Sequence, residues 1–207
     1  MHGQLGSSGK DKAVFDAICE ATQERVAVAC YHKNKGKSIQ VEARQQRRAA
    51  SVGVAPQLLE VDARQRRLVM QLMPRGTLIE LARQQHGRLT IAQQQRIVQL
   101  LRCLGTPETE GGAGLRHGDC GNPANYVASA DGTLFLIDFA PPHCRDMPAK
   151  EPDDANLGSL GMLLWHAERG LLRRGWVTEP PLVLLREYRL FCRRSGMSDP
   201  MDPEPDV

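Results

Sequence analysis

Aromatic side chains are scarce in this sequence, with 2 Trp, 3 Tyr and 4 Phe among 207 residues. The Arg-rich runs EARQQRRAA and DARQRRL show no RNP-like or zinc-finger spacing and are interleaved with Gln. They read as solvated helix and turn faces, and no nucleic-acid partner is expected. The six cysteines (Cys19, Cys30, Cys103, Cys120, Cys144 and Cys192) form no CxxC pair. That argues against a disulfide framework or a zinc site and for a reduced, cytosol-like compartment. No apolar run approaches the roughly 18 residues of a membrane span. The opening MHGQLGSSGKDK lacks the apolar stretch of a signal peptide. Neither charge dominates, since the net charge is +3 at a pI near 8.6. What is present is an apolar fraction of 41%, enough for a real core. A soluble chain with one domain or two tightly associated lobes is expected.

Two strand-like runs in residues 13–33 flank the polar turn ATQE and predict a hairpin. SIQVEARQQRRAASVG (38–53) has a Ser start, good helix formers and a Gly stop, which predict a helix. Residues 56–73 hold a second pair of apolar runs around a charged turn. After the breaker PRG come two helical stretches, TLIELARQQHG and TIAQQQRIVQLLRCLG, the latter apolar at Ile91, Ile97, Leu100, Leu101 and Leu104. TPETEGGAG (106–114) reads as a flexible loop, residues 155–172 and 180–194 as helices, and the acidic, Pro-rich end as a frayed tail. The order is β-rich first and α-rich after, an α+β two-lobe pattern without internal repeats.

The chemistry concentrates in GLRHGDCGNPANYVASADGTLFLIDFA, residues 114–140. There Asp138 interrupts an apolar run, and a buried acid needs a partner or a job. A hairpin between ANYV and TLFLID would bring Asn125 beside Asp138, two oxygen ligands suited to a hard cation such as Mg²⁺. Asp119 would stand nearby as a candidate base. A carboxylate pair plus an amide beside a bound metal is a phosphoryl-transfer layout.

These residues resemble the protein-kinase superfamily. HGDCGNPAN resembles its catalytic loop, and LIDFA its DFG segment. RLVMQLMPRG resembles the hinge, Glu42 matches the αC glutamate, and DDANLGSLGMLLW resembles the αF helix, with Asp153 or Asp154 as the acid bracing the catalytic loop. The resemblance implies a bilobal fold: a small antiparallel β-rich N-lobe over residues 1–73, a truncated α-rich C-lobe over 74–194, and a flexible tail over 195–207. It also implies ATP and Mg²⁺ as cofactors. Asp119 would orient the substrate hydroxyl and accept its proton, Asn125 and Asp138 would hold Mg²⁺, and His117 would support the loop. Ala27 and the hinge residues Met70, Gln71, Leu72 and Met73 would surround adenine.

The sequence departs from the family in three ways. Ala29 stands where the phosphate-anchoring lysine belongs, and Lys33 lies about 13 Å further along the strand at roughly 3.3 Å per residue. Gly6, Ser7 and Gly9 occupy the glycine loop with Lys12 at its third glycine position, a lysine placement similar to the with-no-lysine kinases. Lys12 would then reach the phosphates; a RIO-type reading of GKDKAVF would feature Lys10 instead. Asn125 follows Asp119 by six residues where the family has five, implying a bulge, with Asn122 an alternative ligand. After Asp138 there is no A-P-E element, Ala140 replaces the DFG glycine, and few residues follow the αF-like helix. This is similar to minimal kinases, including those some bacteria inject into host cells. The expectation is a minimal Ser/Thr protein kinase acting on a protein substrate, constitutively active or switched on by an activating protein partner. It would be cytoplasmic, or secreted into a host cell as an effector. The alternatives are a pseudokinase scaffold and a small-molecule phosphotransferase of the aminoglycoside type.

Overall fold

The computed structural model describes residues 3–5, 12–32, 39–148, 154–169 and 179–198. Strands β1 (Gly3–Gln4), β2 (Lys12–Ile18) and β3 (Arg25–Tyr31) open the chain, followed by helix α1 (Ile39–Ser51), β4 (Leu58–Asp62) and β5 (Arg67–Gln71). The strands form one antiparallel sheet in the order β1-β2-β3-β5-β4. Both predicted hairpins are present, the first turning through residues 19–24 and the second through 63–66.

The sheet is too small to bury much on its own, and each face collects a modest cluster. Ala29, Tyr31 and Leu68 on one face pack with Ala43 of α1, while Ala17, Val26 and Val28 cluster separately. The Arg- and Gln-rich run of α1 is solvated only in part. Arg44 and Arg47 are exposed, but Gln45 and Gln46 are buried and spend their side-chain amides on the carbonyls of Cys144 (3.1 Å) and Pro56 (2.8 Å). Buried amides need such partners.

The main core lies among the remaining helices. These are α2 (Leu78–Gln84), α3 (Ile91–Gly105), α4 (Ser159–Arg169) and α5 (Leu182–Ser195). Helices α2 and α3 both begin with capping boxes, Thr77 with Glu80 and Thr90 with Gln93, each satisfying otherwise orphaned amides. The predicted stripe of α3 is buried at Ile97, Leu100, Leu101 and Leu104, whereas Ile91 is 65% exposed. The contact between α4 and α5 depends on Gly161, where an added Cβ would lie 2.6 Å from the Tyr188 ring.

Two short antiparallel pairs sit beside this core: β6 (Leu115–His117) with β9 (Cys144–Asp146), and β7 (Tyr126–Ala128) with β8 (Leu134–Leu136). Only the β7–β8 hairpin was expected. Helix α1 reaches both parts of the molecule, because Ala43 belongs to the sheet cluster and Ala49 to the main core. The chain is thus a mixed α+β protein with a small antiparallel sheet and five α-helices among the described residues. No helix there is long and apolar enough to cross a membrane.

Candidate functional site

The β2–β3 hairpin sets Lys12 directly opposite Tyr31 and Val14 opposite Ala29. Opposed residues of an antiparallel pair share a face, as do residues two apart. Lys12 therefore projects on the face that Ala29 would have used, displaced by one strand. Its ammonium lies 2.5 Å from Glu42 Oε1 and 2.7 Å from Asp138 Oδ1, with 17% of the side chain exposed. It also stands 5.5 Å from the centre of the Tyr31 ring, within cation–π range. Burial opposes the charge on Lys12, but Glu42 and Asp138 outweigh it and hold the pKa above its ordinary value.

Ala29 is fully buried and clusters with Tyr31, Ala43 and Leu68. Burial, then the charges of Glu42 and Asp138, push the Tyr31 phenol far up, so it stays protonated. Its hydroxyl and Glu42 Oε2 are both buried without a hydrogen bond among the described residues.

The catalytic-loop resemblance maps onto a compact hydrogen-bonded unit. His117 ends β6 and is buried. Its Nδ1 accepts from the Asp119 amide at 3.2 Å, which leaves the proton on Nε2 to donate to Ile137 O at 3.0 Å. Burial lowers the His117 pKa and keeps the ring neutral. The ring packs edge-on against Phe139, centroids 5.2 Å apart, joining the loop to the segment after Asp138. Asp119 Oδ2 accepts from Asn125 Nδ2 at 2.8 Å and from Asn122 Nδ2 at 3.2 Å.

The extra residue before Asn125 is absorbed locally. Asn122 caps a 3-10 turn over Pro123–Asn125 by accepting from the Ala124 amide at 3.1 Å. Asn122 thus acts as a cap and a clamp on Asp119. Asn125 points its amide nitrogen at Asp119, and its side-chain oxygen carries no hydrogen bond among the described residues. The β7–β8 hairpin then returns the chain so that the Ile137 amide donates to Asn125 O at 2.9 Å, setting Asn125 beside Asp138. Asp138 itself lies just past the end of β8 and adopts φ 70°, a left-handed conformation, with its carboxylate paired to Lys12. Among the described residues no three His, Cys, Asp or Glu side chains form a metal cluster. The Asp138 carboxylate and Asn125 carbonyl are hard oxygen donors, of the kind Mg²⁺ takes together with phosphate oxygens and water.

Asp153 or Asp154 is the acid expected to brace the loop. Asp153 lies outside the described residues, and Asp154 pairs with Arg194 at 2.9 Å instead. Asn156 does the bracing. Its Oδ1 accepts from the His117 amide at 3.1 Å and its Nδ2 donates to Leu115 O at 2.9 Å. An amide suits this position because β6 offers it one donor and one acceptor, which a carboxylate could not satisfy together.

Ala27 is buried and pairs with Met70 across β3 and β5. Gln71 spends its amide on Gln57 O at 2.9 Å, and Met73 O receives the Gly76 amide at 3.4 Å. That leaves the Leu72 amide and carbonyl and the Met73 amide as the hinge groups without a backbone partner among the described residues, a narrower set than Gln71 to Met73. Gly6, Ser7, Gly9, Lys10 and Lys33 lie outside the described residues.

Sequence reasoning missed Tyr31 and Asn156. Only Asn156 carried a signal, as an amide next to the acids expected to brace the loop. No protein-family description matches this chain, and neither does any characterised protein.

Proposed function

We propose that the chain is a minimal, bilobal protein-kinase-like enzyme that transfers the γ-phosphoryl of ATP to a protein Ser or Thr hydroxyl with Mg²⁺. The observation carrying this reading is one ammonium, Lys12 Nζ, shared between Glu42 of α1 and Asp138. A buried lysine joined to a helix glutamate and a loop aspartate is what positioning a nucleotide's phosphates requires.

In this reading Lys12 offers its charge to the α- and β-phosphates as they approach Asp138. Asp138 and Asn125 would hold Mg²⁺, which when bound neutralises charge on the transferring phosphate. Asp119, steered by Asn122 and Asn125, orients the substrate hydroxyl and takes its proton. The hydroxyl oxygen bonds to the γ-phosphorus while the bond to the bridging oxygen breaks, and ADP leaves with that electron pair. Leu72 and Met73 would receive the adenine edge beneath Ala27.

The test is incubation of the protein with labelled ATP and Mg²⁺ over a protein panel, beside Asp138→Ala and a chelator control. Transfer to protein that Asp138→Ala and chelation both abolish is expected. Nucleotide binding with no turnover would favour a scaffold, and transfer to small aminoglycoside-like acceptors alone would favour a small-molecule phosphotransferase.

A further inference from the structure

Glu42 can meet Lys12 only if α1 is held at the right depth, and a helix with this much polar surface is not held by its apolar face alone. Glu42, Gln45 and Arg48 recur every third residue, so they share one side of the helix. Arg48 is the hub of that side. Its Nη1 pairs with Asp146 of β9, and its Nη2 reaches Glu108 at 2.6 Å, Ala113 O at 2.8 Å and Gly114 O at 3.2 Å. Gln45 adds the bond to Cys144 O, also in β9.

These acceptors flank β6. β9 pairs with β6 in the register Leu115↔Asp146 and His117↔Cys144, and Ala113 and Gly114 run directly into β6. The same guanidinium therefore touches the segment before His117 and the strand paired beside it. An exposed ion pair alone contributes little. Arg48 differs because its side chain is only 22% exposed and two of its acceptors are backbone carbonyls. Gly114 is shaped for the contact: it sits at φ +59°, and a Cβ there would stand 3.1 Å from Arg48 Nη2.

We propose that Arg48 is a positioning residue that rivets α1 to β9 and to the segment leading into β6, so that Glu42, Lys12 and Asp138 are assembled without a phosphorylated activation segment. The Asp146 carboxylate supplies in the unmodified chain the anion that a phosphorylated side chain would otherwise bring to such an arginine. The functional half of this inference rests on the phosphotransfer reading; the mechanical half does not.

The experiment follows backbone hydrogen exchange in the full chain for the wild type, Arg48→Ala, Arg48→Lys and Asp146→Asn. Mg·ATP affinity is measured for Arg48→Ala in the presence of Glu42 and of Glu42→Gln, and for phosphatase-treated wild type. Arg48→Ala is expected to speed exchange across 39–51 and to weaken Mg·ATP by about tenfold, the usual size of such a coupling. Arg48→Lys, which keeps the charge but not the fork, recovers part of both. With Glu42→Gln present, Arg48→Ala has no further effect on affinity, which a merely structural role would not produce. Phosphatase treatment changes neither affinity nor transfer.

Unchanged α1 exchange in Arg48→Ala, losses that add in full with Glu42→Gln, or a wild type that transfers phosphate only when phosphorylated would each overturn the proposal. If Arg48→Ala does not fold, Arg48→Lys and the exposed Asp146→Asn carry the exchange test. If the wild type neither binds Mg·ATP nor transfers phosphate, the phosphotransfer reading fails. Exchange alone then decides the tether: loosening of α1 in the variants upholds it, and no loosening overturns it.

Discussion

Lys12 Nζ lies 2.7 Å from Asp138 Oδ1, so an ammonium at the start of the second strand meets a carboxylate just beyond the β7–β8 hairpin. The contact joins the first long hairpin of the chain to the loop region of residues 114–140. It also answers why an acid interrupts an apolar run: Asp138 lies past the end of β8 in a left-handed conformation and meets a cation.

Removing that cation is expected to cost stability and, in the proposed phosphotransfer reading, nucleotide binding as well. Lys12→Met leaves the Glu42 carboxylate, 5% exposed, without its partner. Breaking a buried pair from one side costs about 3–5 kcal/mol. Adding Ala29→Lys should not restore the site, because Ala29 is enclosed with Tyr31, Ala43 and Leu68. Urea unfolding and Mg·ATP calorimetry check this; a Lys12→Met variant as stable as the wild type would refute the buried pair.

Tyr31 separates two contributions to the Lys12 environment. Tyr31→Phe keeps the ring under the ammonium and removes a hydroxyl that makes no hydrogen bond among the described residues, so stability should hold or rise slightly. Tyr31→Leu removes the ring and with it a cation–π contact of about 0.5–2 kcal/mol. Equal losses in the two variants, seen in denaturant midpoints, would contradict the ring contact.

His117 predicts an acid limb in stability. Burial depresses its pKa below the ordinary 6.5, so its contribution is fully present above that value and is lost as pH falls toward the folded pKa. The slope from this group should not exceed about 1.4 kcal/mol per pH unit. Lys12 behaves oppositely: its raised pKa keeps its contribution intact below about 10.5, with loss only as pH climbs through the folded value. Unfolding free energies from pH 5 to 8 should therefore fall on the acid side, and His117→Gln should flatten that limb. A limb of unchanged slope in the variant would count against this assignment.

Asn156→Ala should be among the most damaging single substitutions outside the apolar core. It strips partners from the His117 amide and the Leu115 carbonyl, both beside a side chain only 2% exposed. Each unsatisfied buried group costs about 1–3 kcal/mol. Asn156→Asp should fare little better, since it keeps the acceptor but loses the donor and buries a charge. Thermal unfolding distinguishes these outcomes from a tolerant surface site.

Much of the secondary structure was legible because it is local. The turn ATQE between apolar runs specified the β2–β3 hairpin, and the apolar spacing of TIAQQQRIVQLLRCLG specified α3. The pairing of β6 with β9 was not legible, because three-residue strands carry no periodicity and are made only when the chain returns. The α1 run illustrates the same limit: its Arg and Gln residues suggest solvent, yet Gln45, Gln46 and Arg48 find carbonyl partners only after folding.

By itself the sequence determined the residue types of the site: the acids at Asp119 and Asp138, the amide at Asn125, the missing lysine at Ala29 and the spare one at Lys12. Tertiary structure alone decided their partners. Lys12 reaches Glu42 and Asp138 because the β2–β3 register turns it onto the face of Ala29. Asn156 rather than Asp154 braces the loop because it meets one donor and one acceptor of β6. Hydrogen bonds and ion pairs act over a few ångströms, so which groups come that close is a property of the folded chain.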